Sequence, residues 1–245
     1  MTSISETGHA KNVANFEDLI SFCQGFGASY NPVRDNLKIA QLQTMKSSVE
    51  DIMNTARTSK TAFDIATNNR RLAFEDLKTF STKVLNAFIV SGADKLAIDD
   101  LKGINKKIQG TGKKKNTAPT TPTTEEPTPK SISTSQQSYD RQIDHLANLI
   151  QVLELNTIYN PNENELKLQA IKDKLTDLKS KITNHINAYT QYSNAISERN
   201  KMLYDPITGL VQTAKEIKQY VKSIFGATSS QFRQISGIEF KVRKG

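Results

Sequence analysis

The chain has 245 residues, 36% of them hydrophobic, with no Trp, 11 Gly, 7 Pro, a single Cys and a formal net charge of +8. That length supports two ordinary domains that bury cores without staples. The lone Cys23 excludes an intrachain disulfide, no Cys/His spacing suits structural zinc, and no run approaches the roughly 18 apolar residues of a membrane span. The charge excess is diffuse: +2 in residues 1–108, +2 in 109–139 and +4 in 140–245. It favours anionic partners in general without selecting one.

In chain order, the polar start up to Asn12 reads as unstructured and lacks the basic and apolar blocks of a leader peptide. The chain is therefore read as soluble and cytoplasmic. From Val13 to about Gln24, Phe16, Leu19, Ile20 and Cys23 recur at helical spacing, and Gly25 and Gly27 close the segment. Asn31 is a suitable N-cap with Pro32 in the first turn. The spacing predicts a long helix from Pro32 through Leu42, Val49, Met53, Ala56 and Phe63 to around Asn68. A third helix follows to Val90, ended by Gly92. A short fourth covers Asp94 to Lys102, with Leu96, Ile98 and Leu101 inward and Gly103 as its stop.

Residues 109–138 change character: Gly110, Gly112, Lys113 to Lys115, a Thr/Pro run to Pro129 and a Ser/Gln run. Such a tract builds no core, and its proline density predicts an extended spacer.

The second half repeats the order. A helix over 139–156 places Ile143, Leu146, Leu149, Ile150 and Leu153 inward. After Tyr159-Asn160-Pro161, a run without Pro or Gly extends to Leu203, and Ile171, Leu175, Leu178, Ile182, His185, Tyr189, Tyr192, Ile196, Arg199 and Leu203 alternate by four and three, the seam of a helix packed lengthwise on partners. Asp205-Pro206 predicts the next start, for a helix to Phe225, and a short one follows near Gln231 to Ile235. Residues 238–243 alternate in strand fashion and are expected to lie over the bundle or to await a partner's edge.

Tyr30-Asn31-Pro32 reproduces Tyr159-Asn160-Pro161, and the same offset lays Leu37 on Leu166, Leu42 on Ile171, Val49 on Leu178, Phe63 on Tyr192 and Arg70 on Arg199. Further on, Gly92 matches Gly226 and Gly103-Ile104 matches Gly237-Ile238, with about five extra residues between Leu203 and Tyr220. By the repeat, the second helix of the first copy breaks near Glu75-Asp76. Kept apolar positions under changed surface letters predict two copies of one helical unit. The expected fold is all-α: tandem antiparallel bundles over 13–108 and 139–245, each of about three helices plus a short fourth.

Arg70 and Arg199 share a seam position, where a charge must pair or reach water, so both are candidates for buried ion pairs. Lys167, Lys174 and Lys181, with Lys172 and Lys179, form two rows beside the second seam, and Lys215, Lys218 and Lys222 share a face of the next helix. These are candidates for binding a polyanion or a partner if nearby acids do not pair with them. No P-loop, dinucleotide, nucleophile-elbow or HExxH pattern occurs. The sequence therefore predicts a non-enzymatic scaffold or assembly module with no cofactor and no metal. Protein partners are expected, a homo-oligomer is allowed and membrane binding is disfavoured. The alternative is nucleic-acid or polyanion binding through the basic faces of the second half.

The Tyr-Asn-Pro entries, Tyr220-Val221-Lys222-Ser223-Ile224-Phe225-Gly226 and Gln234-Ile235-Ser236-Gly237-Ile238 resemble two-repeat helical proteins common in bacteroidete genomes. The resemblance implies a duplicated helical fold and brings no function and no catalytic residues.

Overall fold

The computed structural model describes residues 4–110 and 137–242. Its helices are α1 (Ile4–Gly25), α2 (Ile39–Glu75), α3 (Leu77–Val90), α4 (Lys95–Gln109), α5 (Tyr139–Leu155), α6 (Leu168–Tyr204), α7 (Leu210–Phe225) and α8 (Ser230–Ser236). The described residues are all-helical, without strands. Most of the expected spacer, residues 111–136, lies outside the described residues.

Several boundaries move, each for a local reason. α1 begins at Ile4 instead of Val13, because His9 and Asn12 are buried in contacts of their own. Asn31 does not cap α2. The Tyr30 hydroxyl donates to the Leu37 carbonyl at 2.8 Å, closing a loop that ends in a 3-10 turn at Asp35–Leu37 before α2 starts at Ile39. The Tyr159 hydroxyl does the same to the Leu166 carbonyl at 2.7 Å, with a 3-10 turn at Asn164–Leu166 ahead of α6. α2 runs past Asn68 and ends at Glu75, where the repeat placed the break, and α2 and α6 are each 37 residues long.

α4 does not stop at Gly103. Ile108 extends the buried face of Leu101, and Asn105 and Gln109 tie the extra turns to α3. Ser81 Oγ donates to Asn105 Oδ1 at 2.8 Å, and Gln109 Nε2 donates to the Lys78 carbonyl at 2.6 Å. The helix ends at Gly110, whose φ of 72° is the left-handed conformation of a C-cap. Its start is as expected, the Asp94 carboxylate accepting from the Leu96 and Ala97 amides at 2.9 and 3.0 Å. Asp205 accepts from the Ile207 and Thr208 amides at 2.9 and 2.8 Å. That satisfies a turn, and α7 waits until Leu210, so the extra residues expected in the second half fall chiefly here.

The largest correction concerns the expected bundles over 13–108 and 139–245. The chain divides into two compact units with other boundaries, residues 1–63 with 188–245 and residues 64–187. The first unit's core joins Phe16, Leu19 and Ile20 of α1 and Leu42 and Val49 of α2 to Leu203 of α6 and to Leu210, Ala214, Ile217 and Val221 of α7. The second joins Phe74 of α2, Val84 and Phe88 of α3 and Leu101 and Ile108 of α4 to Leu146, Leu149 and Leu153 of α5 and to Ile171 and Leu178 of α6. Each core therefore takes elements from both halves of the sequence. A 37-residue helix is about twice as long as its 14–22-residue neighbours, so one neighbour cannot cover its whole seam.

In the first unit, Phe63 of α2 stacks with Tyr192 of α6 at 5.9 Å, while Leu42 and Val49 share a core with Leu203. The two segments thus run antiparallel there. In the second unit, Arg70 meets His185 and Asp76 meets Lys174, again antiparallel.

Candidate functional site

The seam charges serve packing. Arg70 Nη1 donates to His185 Nδ1 at 3.0 Å, and the guanidinium lies 4.5 Å from the centre of the Tyr139 ring. Imidazole and ring face thus stand where a buried ion pair leads one to expect an acid. Desolvation, then the charge of Arg70, holds the His185 pKa below its usual value. Arg199 is buried, and its Nε and Nη2 donate to Asn200 Oδ1 at 3.2 and 3.0 Å. Beside Tyr139 is a surface pocket of about 440 Å³ lined by Arg71, Phe74, Glu75, Lys78 and Gln142. One face of the Tyr139 ring is already occupied by Arg70, and Gln142 Nε2 donates to the Gln137 carbonyl at 3.0 Å.

Three of the five lysines in the two rows meet acids. Lys172 pairs with Glu154 of α5 at 2.6 Å, Lys174 with Asp76 at 2.9 Å and Lys181 with Asp177 at 3.3 Å. Lys174 also lies 5.0 Å over the Phe80 ring, and Lys167 donates to Asn164 Oδ1 at 2.8 Å. Lys179 and Lys215 are exposed. On α7, Lys222 lies 5.9 Å from the Phe232 ring centre. Lys218 is turned inward, donating to the Ser236 carbonyl at 3.1 Å and to the Ile238 carbonyl. Desolvation lowers the Lys218 pKa, against a smaller opposing pull from Glu239.

Lys218 belongs to a cradle for the extended C-terminal residues. Asn12 of α1 uses both ends of its amide on one residue's backbone: Nδ2 donates to the Lys241 carbonyl at 2.8 Å, and Oδ1 accepts from the Lys241 amide at 3.1 Å. Asn15 Nδ2 donates to the Glu239 carbonyl at 2.6 Å. Ile238 and Phe240 pack against the first core. Residues 238–242 therefore lie over α1 and α7. The main-chain groups that an edge strand would offer are partly met by side chains.

The site that spacing did not reveal is apolar. α4 and α5 run antiparallel, with Gln137 Nε2 donating to the Lys107 carbonyl at one end. At the other end gather the last residues of α3, the first of α4 and the last of α5. There Val90 is 83% exposed, Leu96 79%, Leu155 85% and Ile158 52%. Spacing placed Leu96 inward; it faces out, while Leu101 of the same helix is buried. Ile158 lies over the α3–α4 turn, its Cδ1 3.5 Å from where a Cβ on Gly92 would sit, and the φ of 85° at Gly92 is one that a side chain would strain. Burial of one such aliphatic side chain is worth about 1.5–3 kcal/mol, so grouped exposure of four is unusual on a surface that faces only water. A readable signal existed: Val90 and Leu155 are each the last residue of a helix, followed at once by Ser-Gly or Asn.

Among the described residues no helix is long and apolar enough to cross a membrane, and no group of three or more His, Cys, Asp or Glu could hold a metal ion. No family model matches the chain, and neither a curated protein nor a solved structure matches it.

Proposed function

We propose that this protein is a non-enzymatic helical assembly module, an internal duplication whose halves interleave to build two units, one of which offers an apolar end to a protein partner. The observation that carries the reading is the grouping of Val90, Leu96, Leu155 and Ile158 at one end of the second unit. Polar contacts between elements point the same way. Ser81 with Asn105, Asn12 with Lys241 and Arg70 with His185 are engaged in holding helices and the C-terminal strap together.

The test compares the native size of the protein in extracts of its host with that of a Leu96→Glu/Leu155→Glu variant. The reading expects the natural chain to migrate above its monomer mass of 27.3 kDa and the variant to lose the excess. A natural chain that runs as a lone monomer in such extracts contradicts it.

Polyanion binding is the second reading, and the exposed Lys167, Lys179, Lys215 and Lys222 favour it. Heparin retention that falls steeply with salt supports it, whereas absence of retention at low salt removes it.

A further inference from the structure

We infer that the pocket between the α2–α3 junction and the first turn of α5 binds a nucleoside monophosphate whose base carries an exocyclic amine. The site lies apart from the apolar end and does not depend on the assembly reading.

The pocket holds about 440 Å³, a volume usual for small-molecule sites. Arg71, Glu75 and Lys78 follow one another by four and three and line one wall, while Tyr139 and Gln142, three apart on α5, line the other. What distinguishes the place is that its polar groups are unengaged. Among the described residues, the side chains of Arg71, Glu75 and Lys78 make no hydrogen bond or ion pair, although Lys172, Lys174 and Lys181 of the same unit all find acids. Gln142 is an independent observation. It is nine-tenths buried, and its Nε2 donates to the Gln137 carbonyl at 3.0 Å. Its Oε1 accepts from no described residue. That oxygen is not fully enclosed, so a donor in the pocket can reach it. A buried acceptor without a donor is destabilising, and a ligand that brings one relieves it.

The two walls require different groups of one molecule. The Arg71 guanidinium is a planar fork that holds phosphate oxygens two at a time, and Lys78 adds a second cation. Across the pocket, Gln142 Oε1 needs a donor. Phe74, Leu72 and Tyr139 supply ring and aliphatic surface against which a flat base packs. Glu75 repels a bare anion and suits a sugar hydroxyl instead, so phosphate alone is a poor fit. A nucleoside monophosphate with an amine on its base meets each requirement at once.

The test is isothermal titration calorimetry of the full-length protein with adenosine monophosphate, purine riboside monophosphate, adenosine and inorganic phosphate. Adenosine monophosphate should bind one to one with a dissociation constant below about 1 mM. Purine riboside monophosphate, identical save that hydrogen replaces the amine, should bind about fivefold to tenfold more weakly. Adenosine and inorganic phosphate should each bind at least about tenfold more weakly than the whole nucleotide. Arg71→Met/Lys78→Met changes two exposed positions; it should weaken adenosine monophosphate at least about tenfold and leave adenosine unchanged. Gln142→Leu should erase the preference for the amine. Should that variant lose helicity, the comparison of the two nucleotides on the natural chain decides the same point. Absence of saturable binding of adenosine monophosphate below about 1 mM overturns the inference. So does equal affinity for the nucleotide without the amine, or phosphate alone binding as tightly as the nucleotide. Binding that survives Arg71→Met/Lys78→Met places the anion elsewhere on the chain and overturns it too.

Discussion

The hydroxyl of Tyr30 reaches the carbonyl of Leu37 at 2.8 Å across the loop that admits the chain to its first long helix. Tyr159 and Leu166 repeat the bond at 2.7 Å. All four residues are buried, so the two carbonyls depend on these hydroxyls and not on water.

Tyr30→Phe and Tyr159→Phe should therefore each cost about 1 kcal/mol, or more if water does not reach the orphaned carbonyl. In a chain of this size that corresponds to a fall of about 2–4 °C in melting temperature. Thermal denaturation followed by circular dichroism measures it. An unchanged melting temperature in both variants would remove the tyrosines from the account of helix entry.

Because each core draws on both halves of the sequence, residues 1–110 or 137–245 alone should lack the partners of their long helix. Expressed separately, each fragment should show low cooperativity in urea or pair with its own kind. Mixed, the two should form a one-to-one complex with native-like helicity. A fragment of 1–110 that unfolds cooperatively as a monomer would refute the interleaved arrangement.

Two groups set pH limits of opposite sign. Desolvation and Arg70 lower the folded pKa of His185, so in acid the unfolded chain takes up this proton more readily. The stability it contributes is present above about pH 6.5 and is lost as pH falls through the folded pKa. His185→Gln should flatten the decline in urea midpoint between about pH 6.5 and 5. Burial raises the Cys23 pKa from 9.0 to about 12. The neutral thiol is favoured in the fold, so its contribution is complete below pH 9.0 and is lost as pH rises toward about 12. Cys23→Ala should delay the alkaline loss of stability, and native Cys23 should resist a thiol reagent that labels it at once in denaturant.

Asn12→Ala removes both bonds to the Lys241 backbone. Loss of two hydrogen bonds of about 1 kcal/mol each predicts at least tenfold more opening of the strap. Faster tryptic cleavage after Lys241, with little change in global melting, is the expected pattern; equal cleavage rates would show that Ile238 and Phe240 hold the strap unaided.

The sequence by itself determined the helical class, the inward faces of α5 and of the outer parts of the long helices, and the caps at Asp94 and Gly92. These are encoded within a few residues, as apolar spacing or as a side chain that meets an adjacent amide. A stripe such as Ile171, Leu178 and Ile182 states that it must be covered, and leaves open by what. Only the tertiary structure decided that α2 is covered partly by α1 and α7 and partly by α3, α4 and α5. It also decided that Arg70 meets an imidazole and a ring in place of an acid, that Lys172, Lys174 and Lys181 find carboxylates, and that Leu96 faces out. Most of these depend on residues distant in the chain, and hydrophobic burial, being non-directional, accepts any neighbour that excludes water.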